Sequence, residues 1–195
     1  MQLAELVVRD AKAWNRWLSK HHEETSGLWL VLAKKGTLTP TTLTHDQALE
    51  EAIAYGWIDG QIGKRDQATY RQRFTPRRSR SAWSRRNVAI AEQLIAEGRM
   101  RPAGLRELER ASADGRRQAA YPGSKNIEVP PDLIQALARA PRAGATFSRL
   151  NRLNRYAILY RIATARKVDT RARRIDKYVA MLARGETIHP QKLNP

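Results

Sequence analysis

The residues best suited to chemistry lie in one stretch, Phe74 to Asn87, which contains five arginines, three serines and Trp83. The pattern predicts a strand end, a loop after Pro76 and then the first turn of a helix. A helix N-terminus presents backbone N–H groups and a partial positive charge, and arginine adds paired donors for phosphate or carboxylate. The stretch therefore predicts an anion site. The structural alternative is an exposed basic loop in which Ser84 only caps the helix.

Asp59 is the second candidate, because it lies in the segment Gly56–Gly60, where two glycines flank a tryptophan and an aspartate. That pattern predicts a chain that leaves a helix and enters a strand in a confined place. Asp59 could pair with a cation or act as a general base, and it is a weak candidate for a catalytic residue. The alternative, which the spacing favours, is an ion pair with an arginine that orders a hairpin.

The third candidate is a helix expected over residues 169–184, which has an apolar stripe on one face and a basic stripe on the other. The basic stripe consists of Arg173, Arg174, Lys177 and Arg184. Such a stripe could follow a phosphate backbone. A solvated helix face is the more common use of this pattern.

The elements that must position these residues indicate an α+β fold. Apolar periodicity predicts a small antiparallel sheet with strands near 28–34, 57–62 and 69–75, packed by helices. The last third of the chain reads as helical. We therefore expect an α+β core domain over residues 1–125, which holds the hairpin and the arginine loop. An all-helical region over residues 126–195 is expected to pack on or beside it.

Charge is the strongest compositional signal. The 195 residues include 36 basic and 19 acidic side chains, for a net charge of +17. The excess begins after residue 66, since residues 67–117 carry 13 basic and 5 acidic groups and residues 118–195 carry 15 and 5. This asymmetry predicts an anionic small molecule, an acidic protein or a nucleic acid as partner. Compositional bias is the alternative, because 27 of the basic residues are arginine.

Several classes of protein are excluded or disfavoured by what the sequence lacks. The absence of cysteine excludes disulfides, cysteine-bound zinc, iron–sulfur clusters and a thiol nucleophile. The four histidines show no metal-ligand spacing, and no phosphate-loop, dinucleotide or hydrolase motif is present, so we expect no metal and no cofactor. The longest apolar run, Leu28–Ala33, is far shorter than the roughly 20 residues that cross a bilayer. We expect a cytoplasmic protein without membrane insertion.

Taken together, the segments resemble the YdeI/OmpD-associated family of bacterial proteins over about residues 10–185. The residues that carry the resemblance are LWLVLAKKG (28–36), AIAYGWIDGQ (52–61), YRQRFTPRRSRSAWSRRN (70–87), GLRELERASADGR (104–116) and TARKVDTRARRIDKYVAML (164–182). The resemblance implies a small α+β core with a helical C-terminal region and an association with protection against bacteriocins or cationic antimicrobial peptides. The chain departs from the family at Arg117, where other members usually carry an aromatic residue.

These observations converge on one predicted pocket for an anionic group. Arg77, Arg78 and Ser81 are expected to bind the anion, and Trp57 and Trp83 to form apolar walls. Asp59 is expected to orient an arginine or to act as the base. The other residues expected to bind the ligand are Lys34, Lys35, Ser84, Asn87, Arg171 and Arg174.

Three functions follow from the sequence. The first is a non-enzymatic stress or antimicrobial-protection protein that binds an anionic ligand or partner. The second is a nucleic-acid-binding protein without sequence preference, which would use Arg80, Arg85, Arg86, Arg173, Arg174, Lys177 and Arg184. The third is a small-molecule enzyme that uses Asp59. A chain of charge +17 repels a cationic peptide at long range, so protection by direct sequestration is disfavoured.

Overall fold

A computed structural model describes residues 3–123, 127–165 and 167–192 of the protein. The chain divides into two compact units, Met1–Ala120 and Tyr121–Pro195. The expected boundary between residues 125 and 126 falls outside the described residues. The predicted α+β class and the helical C-terminal region are both confirmed.

Unit 1 is built on a four-stranded sheet of β1 (Glu5–Leu6), β2 (Leu28–Ala33), β3 (Trp57–Lys64) and β4 (Thr69–Pro76). The strand order is β1-β2-β4-β3. Strands β2, β4 and β3 pair antiparallel, as the sequence predicts, whereas β1 pairs parallel to β2. The sheet is therefore mixed and not purely antiparallel. Sequence reasoning missed β1 because two residues are too short to show an alternating pattern.

Four helices complete unit 1: α1 (Ala11–His21), α2 (His45–Ala54), α3 (Arg85–Ala96) and α4 (Pro102–Ala113). Side-chain oxygens of Asp10, Thr44 and Ser84 accept the backbone N–H three residues later and so cap α1, α2 and α3. At α2, the side-chain oxygen of Gln47 accepts the backbone N–H of Thr44, which completes a capping box. The first-turn proline at the start of α4 is favourable because its missing N–H would have no helical partner.

The core of unit 1 lies on one face of the sheet. Leu28, Leu30 and Leu32 of β2 and Phe74 of β4 are buried against Trp14 of α1 and residues of α2. The side chains that alternate with them on β2 and β4, including Trp29 and Arg73, are not part of this core. The sheet thus has one apolar face, which helices cover, and a second face that carries side chains such as Trp29 and Arg73.

Unit 2 is helical, with α5 (Pro131–Ala138), α6 (Pro141–Ser148), α7 (Arg152–Ala163) and α8 (Val168–Ala183). Its core is a second apolar cluster that includes Leu133, Phe147, Ile158, Ile175 and Leu182. Helices α5, α6 and α8 each bury one stripe of residues into this cluster. Helix α7 buries a wider arc, which includes the consecutive residues Ala157, Ile158 and Leu159. None of the described helices combines the length and the apolar character that crossing a bilayer requires.

Helices α2 and α4 of unit 1 make a close crossing. It occurs at Gly104, where a Cβ atom would overlap the carbonyl oxygen of Ala54 and lie 2.8 Å from that of Ile53. Only glycine allows the two helix backbones to approach so closely. The crossing places the first turn of α4 beside the junction between α2 and β3.

Gly104→Ala is expected to lower the free energy of unfolding by about 1–3 kcal/mol, because the new methyl group forces α2 and α4 apart. Urea denaturation would measure the change. Gly144→Ala in α6 is the matched control, since its Cβ would meet its nearest neighbour at an ordinary 3.4 Å. Replacing a helical glycine that has this much space by alanine increases the stability of the protein. Equal effects of the two substitutions would contradict the close crossing.

Candidate functional site

The loop that follows β4 is organised by Arg77. This residue is buried, and its guanidinium carbon lies 3.5 Å from the centre of the Trp83 ring. Its Nη1 donates to the carbonyl of Ala82 at 3.2 Å, and its backbone N–H donates to the carbonyl of Gly56 at 2.9 Å. A guanidinium over an indole face is a favourable cation–π contact. The predicted ligand-binding arginine and the predicted apolar wall therefore contact each other directly.

A second buried arginine, Arg116, fixes the same loop from another side. Its Nη1 donates to the carbonyl of Ser81 at 2.8 Å, and its Nε donates to the carboxylate of Asp114 at 2.7 Å. The neighbouring carbonyls of Ser81 and Ala82 thus accept from two different guanidinium groups. Sequence reasoning did not assign Arg116 a role. The only signal was the Asp-Gly-Arg turn at 114–116, which alone predicts no distant partner.

The serines of the loop act as local hydrogen-bond acceptors. Ser81 Oγ accepts the backbone N–H of Arg78 at 2.9 Å, and Ser84 Oγ accepts that of Asn87 at 3.1 Å. The second contact is the helix cap expected of Ser84 if this stretch is an exposed basic loop and not an anion site. Arg78 itself is exposed, and Asn87 is buried in the first turn of α3.

A groove of about 270 Å³ opens beside the buried guanidinium, where Trp57, Arg77 and Arg106 meet. Trp57 is buried at the start of β3, and its indole N–H donates to the carbonyl of His22 at 3.0 Å. Arg106 lies on α4 at the rim, where its Nη2 is 3.1 Å from a carboxylate oxygen of Glu23. Glu107, on the same helix, also lines the groove. The residues that line the groove thus include one tryptophan, two arginines and two glutamates, and the guanidinium of Arg77 is buried behind its wall.

Gly56 sets the depth of this groove. Its φ of +74° lies in the left-handed region, which glycine adopts without steric cost. A Cβ at this position would lie 3.0 Å from both the carbonyl oxygen of Ala103 and Cγ of Glu107. The glycine before Trp57 is therefore needed for both the turn and the packing on α4. This explains why a glycine precedes Trp57 in the segment Gly56–Gly60.

The sheet separates Lys34 and Lys35 from this groove. In the antiparallel register Ala33 pairs with Thr69 at the start of β4, whereas Trp57 pairs with Pro76 at its end. The two lysines follow Ala33, so they lie at the other end of β4, roughly 20 Å away at the rise of an extended strand. The structure brings Trp57, Arg77, Ser81 and Trp83 together but not these lysines.

The basic residues expected to bind nucleic acid differ in their partners. In unit 1, Arg80 and Arg85 are exposed, and Arg86 donates to Asp46 at 2.7 Å. In unit 2, Arg184 pairs with Glu186 at 2.8 Å. Arg173 and Arg174 each donate to a backbone carbonyl, that of Asp169 and that of Arg161. Lys177 is exposed. Most of the stripe on α8 is therefore engaged within its own unit.

Arg171, also expected to bind the ligand, connects α8 to α5. Its Nε and Nη2 contact the two carboxylate oxygens of Asp132 at 2.6 and 2.9 Å. This paired hydrogen bond holds the pKa of Asp132 below its ordinary value. Arg171 therefore has a structural role inside unit 2.

Asp59 pairs with a histidine and not with the arginine that the sequence favoured. Its Oδ2 lies 3.1 Å from Nε2 of His45, whose Nδ1 is 3.3 Å from Asp46. The hydrogen bond to Asp59 raises the pKa of His45 above its ordinary value, against the opposing effect of burial. Both ring nitrogens face carboxylates, so the protonated imidazole is favoured. This geometry is that of an ion pair that joins the start of α2 to β3.

The fold and the groove define a two-unit α+β protein whose candidate site is organised by a buried arginine. Residues 6–107 match the model of the domain of unknown function DUF8412, and the chain belongs to this family. Residues 126–185 match the model of the bacteriocin-protection, YdeI or OmpD-associated family. Comparison with curated proteins and with solved structures gives no match.

The family resemblance proposed from the sequence is confirmed for the C-terminal region. It rests there on the segment at 164–182, which lies inside the matched range. The motifs around Asp59 and Arg77 lie instead in the part that matches the domain of unknown function. Of the resemblance over residues 10–185, the family model thus covers residues 126–185.

The His45–Asp59 pair makes the stability of unit 1 depend on pH. Because the pKa of His45 is raised in the folded state, the pair stabilises the fold below the unfolded-state pKa of about 6.5. This stabilisation is lost as pH rises through the folded-state pKa. Asp59→Asn should lower the free energy of unfolding by about 1 kcal/mol near pH 5.5 and by much less near pH 8.5. Urea denaturation at the two pH values would measure both.

The control is the same substitution in a His45→Gln background. There Asp59 has lost its titrating partner, so Asp59→Asn should have one small effect at both pH values. If Asp59→Asn costs the same at both pH values with His45 present, the pair does not stabilise the fold.

Proposed function

We propose that the protein is a non-enzymatic protection protein that acts against bacteriocins or related antimicrobial agents by binding an anionic ligand or partner. The observation that carries the protection role is the match of residues 126–185 to the bacteriocin-protection family. The occupant is anionic because the chain carries a net charge of +17. A cationic peptide is repelled at long range by that charge. Protection is therefore indirect, through a negatively charged target or ligand.

The groove beside Arg77 is the site that suits such an occupant best. Arg77 lines the groove, and its guanidinium, buried against Trp83, contributes a positive potential there that the low local dielectric strengthens. Arg106 at the rim supplies a second guanidinium, which is 62% exposed and can reorient toward a ligand. Arginine forks match the geometry of phosphate and carboxylate groups.

The groove also contains a carboxylate that competes with an incoming anion for Arg106. Glu23 is 69% exposed and holds Arg106 at 3.1 Å. An incoming anion must replace this carboxylate at the Arg106 guanidinium. The affinity for an anion in the groove therefore depends on Glu23 and Arg106 in opposite directions.

Inorganic phosphate is a suitable probe, and the indole N–H resonance of Trp57 reports on the groove because Trp57 lines it. Arg106→Gln should weaken the phosphate affinity read at Trp57 by about two- to fivefold, the size of an exposed ion pair. Glu23→Gln should strengthen it by a similar factor, because it releases Arg106. A nuclear magnetic resonance titration would measure both.

Arg99→Gln is the matched control, because Arg99 is also a surface arginine held by carboxylates, those of Glu50, Glu51 and Glu97. It removes the same charge without touching the groove and should leave the Trp57 titration nearly unchanged. If Arg99→Gln and Arg106→Gln weaken phosphate equally, or if Glu23→Gln has no effect, the groove is not the anion site.

The protection role is tested separately in bacterial cells exposed to a bacteriocin. Expression of the wild-type chain should raise survival, and Arg106→Gln should remove most of that gain while Arg99→Gln keeps it. Equal protein levels of the three chains are needed for the comparison. If the wild-type chain gives no protection, the assignment to antimicrobial protection is wrong even where phosphate binds in the groove.

A further inference from the structure

The face of the sheet opposite the core of unit 1 carries one indole and two arginines. In the register of β2 and β4, Trp29 lies opposite Arg73 and Val31 opposite Arg71. The guanidinium carbon of Arg71 is 4.9 Å from the centre of the Trp29 ring. Because paired residues of neighbouring strands share a face, these four side chains lie together on it, with Val31 fully buried and Trp29, Arg71 and Arg73 partly exposed. We call it the Trp29 face.

The neighbouring edge strand leaves space for the two arginines. Gly63 of β3 pairs with Arg71, and a Cβ at Gly63 would lie only 2.8 Å from Nε of that arginine. Gly60 lies beside Arg73, where a Cβ would be 3.7 Å from Arg73 Cβ. The arginine stems therefore approach the backbone of β3 at positions that carry no side chain. This arrangement keeps the two guanidinium groups on the surface of the sheet.

These arginines have unused hydrogen-bonding capacity. The Nε atoms of Arg71 and Arg73 are buried and find no acceptor among the described residues. Arg71 has one carboxylate nearby, that of Glu5 at 3.7 Å. The side chain of Arg73 makes no hydrogen bond or ion pair within the described part of the chain. The Nε atoms themselves are shielded from solvent, so an acceptor supplied from outside would have to be bound by the terminal Nη groups of the two guanidinium planes.

The positive charge continues from the Trp29 face to the nearby end of the sheet. Lys64 pairs with Tyr70 in the last pair of β3 and β4, and the backbone N–H of Lys34 donates to the carbonyl of Ala68 at 3.0 Å. Lys35 follows, and all three lysines are exposed. Lys64 shares with Tyr70 the face of the sheet opposite to Trp29, and Lys34 Nζ donates to the carbonyl of Asp66 at 2.7 Å. The lysines that the groove does not use therefore lie at the end of the sheet, next to the Trp29 face.

We propose that the Trp29 face, with the lysines at its end, binds single-stranded nucleic acid. Unpaired bases stack on indole and guanidinium planes, and phosphates are bound by the flanking cations. Consecutive arginines on the same face of β4 are about 7 Å apart, so they present successive donors along the strand. An acidic peptide would use the cations but would leave the indole and guanidinium planes without partners. A duplex conceals its base faces. The proposal concerns a different surface from the groove and does not depend on the proposed function.

The test is fluorescence anisotropy with a labelled short oligothymidylate, repeated between about 50 and 200 mM NaCl. Arg71→Gln with Arg73→Gln should weaken binding by about tenfold and lower the slope of log affinity against log salt by about 1.4, since each single-strand phosphate contact contributes about 0.7. Trp29→Leu, which changes no charge, should weaken binding at least about fivefold through lost stacking.

The matched control is Arg173→Gln with Lys177→Gln on α8, which removes the same charge from the other unit. It should change affinity by less than about twofold, because long-range charge alone contributes little at the higher salt. Equal losses in the two double variants would overturn the proposal, and so would equal affinity for a duplex of the same length. Competition by polyglutamate as effective as that by the oligonucleotide would assign the face to acidic polypeptides.

Circular dichroism melting curves identify variants that fail to fold. If the double glutamine variant is unfolded, Arg71→Lys with Arg73→Lys replaces it, because lysine keeps the charge but lacks the planar group. The lysine variant should keep most of the salt slope and lose affinity for the oligonucleotide. Unchanged affinity in both the lysine variant and Trp29→Leu would overturn the stacking role of the face.

Discussion

A buried guanidinium, that of Arg77, is the constraint on which the candidate site depends. It stacks on Trp83, and it donates to the carbonyl of Ala82. The backbone of the same residue is joined to Gly56 at the junction of α2 and β3. One residue thus connects the end of β4, the start of α3 and the wall of the groove. Removing a guanidinium from water is costly, and the aromatic face and the carbonyl acceptor compensate for that cost.

The arginine-rich composition therefore serves two purposes in this chain. Some arginines act as internal connectors, as Arg116 does between Asp114 and the loop and Arg171 does between α5 and α8. Others, such as Arg73 and Arg80, are not engaged in this way. The net charge does not distinguish these uses, because a buried, hydrogen-bonded arginine and a solvated one count equally toward it. Assigning function to a basic segment requires the acceptor of each guanidinium to be known.

Periodicity and capping signals were sufficient to predict most of the fold. The strands at β2, β3 and β4 and the capped start of α2 follow from residues close together in the sequence, where steric and hydrogen-bonding preferences act locally. The buried stripe of α3 shows the limit of such signals. It runs through Asn87, Ala91 and Leu94, whereas the apolar Ile95 is 43% exposed. Apolar periodicity does not indicate a buried polar residue such as Asn87 in the first turn.

The site was harder to predict because it depends on contacts between distant residues. The pairing of Asp59 with His45 joins two elements across 14 positions, and neither residue signals the other. Lys34 and Arg77 both follow strand ends, and the sequence suggested that they meet. The antiparallel register of β2 and β4 places those ends at opposite sides of the sheet. Local patterns predicted which residues are unusual but not which of them are neighbours.

The irregular course of β3 affects how the molecule behaves toward other copies of itself. As an outer strand of the sheet, β3 has backbone N–H and C=O groups on one side that could recruit a strand from another chain. Its register shifts between Asp59 and Ile62, and the amide of Gln72 donates to the carbonyl of Gly60 at this irregularity. A bulge of this kind twists the edge and interrupts the row of available groups. The opposite edge, β1, is only two residues long. Both borders of the sheet are thus poor templates for aggregation, although the exposed Ile62 would favour it on a straight strand.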